Sequence, residues 1–244
     1  MVSFKSARLK VERANKHIAE IRERVRTLPD AYSAGIEANP QTGQKFIKHV
    51  LHDTTIAIDL ALVIGDAVHN LKCALDHAWF AAIQKHAPSA VSDFAKFPVY
   101  PTRNKLESVL TGREINISSP ALFDLIVTKI RSYEGGNDAV WAIHRLDILD
   151  KHRLLVPLIT YASVNNIEME NEKGELVKGG TLGLTSSPPW YIHIPDGWHV
   201  KNNGKPAATV LFDKGTPVHF MDVFDLLAYY THLVLQIIEL LEGV

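Results

Sequence analysis

The sequence predicts an α+β fold: a helical bundle with an antiparallel β section inserted before the C-terminal helix. Three observations carry this. Apolar residues recur at helical spacing through the first 155 residues, the texture switches near Val156 to alternation broken by turn signals, and helical spacing returns after residue 215. The chain is read as a single domain, 1–244, with the bundle formed by 1–155 and 216–244 and the β section by 156–215.

The elements follow in order. Ala7, Val11, Ala14, Ile18, Ile21, Val25 and Leu28 alternate four and three apart, a heptad seam that Pro29 ends. Such a seam packs within its own domain or against a second copy. Residues 30–55 are turn-rich and then alternate weakly in "KFIKHVLHDTT", predicting a short strand or hairpin. Ile56 to His86 reads as a long helix that is apolar on most sides, hence central. Thr102 caps and Gly112 stops a short helix. Ser119 with Pro120 starts another, and Asn137 or Asp138 caps "AVWAIHRLDILDKHRLL". In the β section, "EKGE", "PDG" and "NNGK" are turn signals between four or five strands. Phe220, Phe224, Leu227, Val234, Ile237 and Leu241 make the stripe of the last helix.

Composition excludes several classes. The chain is 46% hydrophobic and 22% charged with a net charge of −1, so neither disorder nor global attraction to polyanions is indicated. A single cysteine, Cys73, permits no intramolecular disulfide framework. The charged N-terminus has no signal-peptide core, and the run "IAIDLALVIGDAV" is cut by Asp59 and Asp66. The expectation is a soluble cytoplasmic protein with no membrane association.

Chemistry concentrates in "VIGDAVHNLKCALDHAWF". At about 100° per residue, Asp59, Asp66, Asn70, Cys73, His77 and Gln84 fall on one stripe of the helix, and His69, Lys72 and Asp76 on an adjacent one. Buried polar groups cost about 1–3 kcal/mol unless bonded. The stripe is therefore a satisfied structural network, a solvent-facing surface or a functional site. A second cluster lies in "HRLDILDKHRLL", where His144, Asp147 and Lys151 share a face and Asp150, Lys151, His152 and Arg153 adjoin. Cations at the end of that helix oppose its dipole, which accounts for some of them.

Together "IGDAVHNLKCALDHAWF" and "LDILDKHRLL" resemble a group of uncharacterised bacterial proteins with a "GD-x-x-HNL-(Arg/Lys)-x-ALDH" helix and a later "DKHR" segment. Lys72 to His77 also resembles, more weakly, the helix motif of the HEPN superfamily, in which Arg precedes His by four to six residues. Here Lys72 replaces the Arg and Cys73 stands where a polar residue is frequent. This resemblance implies a helical, dimeric, RNA- or nucleotide-acting protein, with metal-independent ribonuclease activity in many members. His77 would be the acid/base, and Lys72, Asp76, Asp150, Lys151, His152 and Arg153 would surround it. Lys is a point charge and lacks the two-pronged phosphate contact of Arg.

Rival readings remain open. His69, Asp76 and His77 with Asp150 and His152 are N/O donors for a metal-dependent hydrolase, although no H-E-x-x-H or cysteine pair is present. A Cys73–His77 thiol–imidazole pair has the i,i+4 spacing, but a helix interior does not lower a thiol pKa and a buried cysteine is inert, so no role is expected of Cys73. "EGGN" lacks the Lys-Ser/Thr of a phosphate loop, so no cofactor is expected. Trp190, Tyr191, Trp198 and His199 are either a stacking platform or sheet packing. A non-catalytic ligand-binding or interaction module completes the set. Two expectations follow: the two polar clusters pack together, bringing His77 or Asp76 to Asp147 or Asp150–Arg153, and a homodimer forms with the 7–28 seam as first candidate.

Overall fold

A computed structural model describes residues 3–27, 32–51, 56–91, 95–155, 157–183 and 190–244. The chain is α+β, with antiparallel strands between the sixth helix and the C-terminal one. It divides into two compact units. The first comprises Met1–Ile21, Ala61–Val156 and Phe212–Val244, the second Arg22–Leu60 and Pro157–Leu211. The hairpin that precedes the central helix therefore groups with the β section, not with the bundle to which 1–155 was assigned from sequence.

In the first unit, α1 (Lys5–Thr27) contributes its N-terminal turns. Ala7, Val11, Ala14, Ile18 and Ile21 are all buried there, so this part of the heptad seam is covered by the chain itself. Val25 is only partly buried, and Leu28 lies outside the described residues. Helix α2 (Ile56–His86) contributes its residues from Ala61 onward and is central as expected, with Ile64, Leu71, Leu75, Trp79 and Ile83 at most 1% exposed.

The helices between carry their predicted caps with one exception. In α3 (Arg103–Gly112) the Thr102 hydroxyl accepts from Lys105 N–H at 3.2 Å. A short α4 (Ile115–Ser118) leads to α5 (Pro120–Asp124), which runs into a π-helical stretch at Leu125–Ile130. Pro120 opens α5 as predicted, but buried Ser119 makes no side-chain capping bond. Asn137 caps α6 (Asp138–His152), its Oδ1 accepting from Val140 N–H at 3.2 Å.

Helix α7 (Val223–Glu242) is capped by Asp222, whose Oδ1 accepts from the amides of Phe224 and Asp225. By length and composition this helix is apolar enough to cross a membrane. Its Leu227, Tyr230, Val234, Ile238 and Leu241 are core residues of the first unit. Phe220 does not join that stripe: it sits before the helix at φ 61°, 58% exposed.

The second unit holds two three-stranded sheets. Strands β1 (Tyr32–Ala38) and β2 (Lys45–Leu51) form the predicted hairpin, in which Asn39 Oδ1 takes the amides of Gln41 and Thr42 and Gly43 supplies a φ of 70°. β2 then pairs antiparallel with β5 (Trp190–Ile194). In the other sheet β3 (Pro157–Asn171) lies between β4 (Leu176–Gly183) and β6 (Trp198–Phe212). Ile47, Ile192 and Ile194 meet Val164 and Ile167 in one small core.

"EKGE" and "PDG" are turns, but "NNGK" is not: residues 202–205 run inside β6. Gly204, at φ 79°, lies so close to Val164 and Ile167 that a Cβ would fall 2.6 Å from Ile167 Cγ1. A glycine that reads as a turn residue is here a strand position pressed against the core.

Candidate functional site

The site is built where α2 and α6 meet inside the first unit. Two rows of residues, spaced three and four apart on each helix, face one another in antiparallel order. Gly65 faces Asp150, and His69 faces Asp147. The next turn brings Lys72 close enough to bear electrostatically on His144. Gly65 is needed for this approach. A Cβ there would lie 2.1 Å from Asp150 Oδ1, so any other residue displaces that carboxylate.

His69 and Asp147 form the centre. Asp147 is 3% exposed, and its Oδ1 lies 2.7 Å from His69 Nδ1 while its Oδ2 accepts from Lys151 Nζ. A carboxylate only accepts, so Nδ1 carries the proton and donates. Nε2 is then the accepting nitrogen, and the Cys73 thiol, 3.4 Å away, is its donor. The His69 side chain remains 45% exposed. A buried carboxylate thus fixes the ring and its tautomer, while part of the ring meets solvent, the geometry an acid–base histidine requires.

Charge around this centre is mixed. Burial pushes the Asp150 carboxyl above its usual range; repulsion from Asp147 and Asp66 adds to it, and His69 and Lys151 oppose it. Burial likewise raises the Cys73 thiol, with the Lys10 ammonium as the largest opposing influence. Burial, reinforced by Lys72, drives His144 down to about 4, and its Nδ1 is buried without a hydrogen-bond partner.

The residues singled out from sequence separate into three places. Lys72, 4% exposed, is ion-paired to Asp76, whose Oδ1 also accepts from Phe97 N–H at 2.8 Å. That cation is consumed inside the protein and does not reach solvent beside His77. His77 is exposed and lines, with Asp76, Ser3, Ser6, Phe80 and Gln84, a pocket of about 410 Å³. Asp150 and Lys151 join the His69–Asp147 centre. His152 and Arg153 are exposed at the helix end, and Arg153 Nη2 donates to Gly215 O at 2.6 Å.

The two polar clusters do pack together, but through His69 and Gly65; no described contact links His77 to Asp150–Arg153. Cys73 pairs with His69, not with His77, which lies four residues away in the other direction. Asp66, His77 and Gln84 of the first stripe are exposed, while Asn70 is buried and donates to Asp66 O. Among the described residues no group of three or more His, Cys, Asp or Glu is placed to hold a metal ion. Of the β-section aromatics, Tyr191 and His199 are exposed and Trp198 packs on the small core; the Trp190 side chain lies outside the described residues.

Sequence reasoning named His69 and Asp147 without pairing them. The signal was the matching row on each helix, Gly65-His69-Lys72-Asp76 against Asp150-Asp147-His144, which only an antiparallel pairing aligns. No family model, curated protein or solved structure matches the chain.

Proposed function

We propose that the chain is a cytoplasmic, homodimeric, HEPN-like protein that acts on RNA or nucleotides by metal-independent acid–base chemistry, with His69 as the proton-transfer group. One observation carries the reading: His69 is held through Nδ1 by buried Asp147 at 2.7 Å and is 45% exposed. In RNA cleavage the 2′-hydroxyl takes the place of the Cys73 thiol at Nε2 and passes its proton there as O2′ bonds to phosphorus. The imidazolium then returns that proton to O5′ as the P–O5′ bond breaks, leaving a 2′,3′-cyclic phosphate, a 5′-hydroxyl and the histidine as it began. Lys151, half-exposed and bonded to the same Asp147, is a cation available to offset charge on the phosphorane. Support for His77 as the acid/base is its exposure in the neighbouring pocket; support for Lys72 beside it is weaker, since Lys72 is bound to Asp76.

The test is purified protein with single-stranded and structured RNA and a nucleotide panel in EDTA, repeated with Mn²⁺ or Zn²⁺. Turnover in EDTA supports the reading, and turnover only with metal transfers the site to a metal-dependent hydrolase. A second reading, a non-catalytic binding or interaction module, is favoured by the internal pairing of Lys72, Asp76, Asp147 and Lys151. Absence of turnover under both conditions selects it.

A further inference from the structure

A second concave site lies in the first unit, apart from the His69 centre, between α6 and α7. It is a cleft of about 520 Å³, within the size range of small-molecule sites. Its walls include Trp141, Met221, Leu226, Tyr229 and Tyr230, and its rim carries Glu134 and Asp138. A smaller depression of about 280 Å³ shares Met221, Leu226 and Tyr229 with it and adds Asp222 and Asp225. Neither is lined by Lys, Arg or His among the described residues.

Each carboxylate pair has capacity to spare. Asp222 spends Oδ1 on capping α7, and Asp138 Oδ1 accepts from Gly135 N–H at 3.3 Å. Among the described residues neither Glu134 nor Asp225 has an ion-pair partner. Tyr230 is 1% exposed, lines the cleft, and its hydroxyl has no hydrogen-bond partner among the described residues. The ring of Trp141 already carries Arg145, 5.9 Å from its centroid, so cations are accommodated at this wall. Tyr229, 55% exposed, is the open ring.

We propose that this cleft binds a linear aliphatic polyamine. One ammonium lies at Glu134 and Asp138, within reach of the Tyr230 hydroxyl as acceptor. The methylene chain covers Met221 and Leu226 and passes the Tyr229 ring, and the second ammonium lies at Asp222 and Asp225. Aromatic faces attract ammonium groups, so the inner ammonium of a triamine lies on the Tyr229 ring, and apolar walls between two anionic ends select an organic polycation with hydrocarbon spacers over a metal ion. The proposal is independent of chemistry at His69.

The experiment is calorimetric titration of spermidine into protein freed of nucleic acid, beside n-butylamine and MgCl₂ at matched ionic strength. Saturable spermidine binding, tighter than butylamine and not competed by Mg²⁺, is expected. Glu134→Gln and Asp225→Asn each weaken it about tenfold, the equivalent of one lost charged contact. Tyr229→Ala weakens it further. Spermidine binding no tighter than butylamine, equal competition by Mg²⁺, unchanged affinity in the double carboxylate variant, or no saturable binding overturns the proposal. The butylamine comparison uses only the wild-type chain, so it decides even if a variant fails to fold.

Discussion

Gly65→Ala tests the packing that makes the site. An ideal Cβ at residue 65 falls 2.1 Å from Asp150 Oδ1, 2.5 Å from Cγ and 2.6 Å from Oδ2. All three are shorter than a carbon can approach, so the Asp150 side chain or helix α6 must move. In an unobstructed helix the same change gains about 1 kcal/mol from backbone entropy. Overpacking costs about 1–3 kcal/mol. The expected net effect is thus a loss of about 0–2 kcal/mol, reversed to a gain of about 1 kcal/mol in an Asp150→Ala background, where the obstructing carboxylate is gone. Urea unfolding of the wild type, both single variants and the double variant reads this coupling. Additivity within about 0.5 kcal/mol would refute a direct Gly65–Asp150 contact, and with it the antiparallel matching of the two rows.

Three further outcomes follow from the same geometry. His144, held down to about 4 mainly by burial, has a folded value below its unfolded one, so the unfolded chain binds the extra proton between about pH 6.5 and 4 and stability falls as pH drops through that window. Urea melts at pH 7 and 4.5 should show a loss on the order of 1–3 kcal/mol, discounted for partial exposure, that His144→Phe removes. Asp150 is shifted the other way, by burial first and then by Asp147 and Asp66, so its contribution is fully present below the ordinary carboxylate range and lost as pH rises through the raised value. Asp150→Asn should therefore be more stable than wild type at neutral pH, with an advantage that shrinks on acidification; an advantage that grows in acid contradicts the shift. Lys72→Met leaves Asp76 with only the Phe97 amide and should destabilise by about 2–4 kcal/mol in thermal unfolding, whereas an exposed lysine would lose almost nothing.

The fold was legible wherever a local signal matched a local outcome. The heptad seam from Ala7 to Ile21, the Thr102 and Asn137 caps and the Asn39-to-Gly43 hairpin are decided by neighbours in sequence. "NNGK" failed because the same glycine serves a turn or a close strand contact, and only the presence of Val164 and Ile167 across the sheet selects the second. The hairpin's membership in the β section failed for a related reason: β2 pairs with β5, whose Trp190 lies well over 100 residues further on, and periodicity carries no information about that partner. At the site, the polar residues of α2 were visible, but their grouping by stripe emphasised the wrong edge. The stripe of Asp66, His77 and Gln84 proved exposed, and the row through Gly65, His69 and Asp76 faces α6 or its ion pairs. Across from Asp150, Gly65 is the clearance that lets the two rows meet.

The central claim, that a carboxylate-held His69 moves the proton, is tested most directly by single-turnover RNA cleavage in EDTA with His69→Ala beside His77→Ala, each checked for unchanged melting. Loss of an acid–base group costs about 10²–10⁴-fold in rate. That loss is predicted for His69→Ala, with His77→Ala retaining most of the wild-type rate. Full activity in His69→Ala, or the larger loss in His77→Ala, would contradict the assignment.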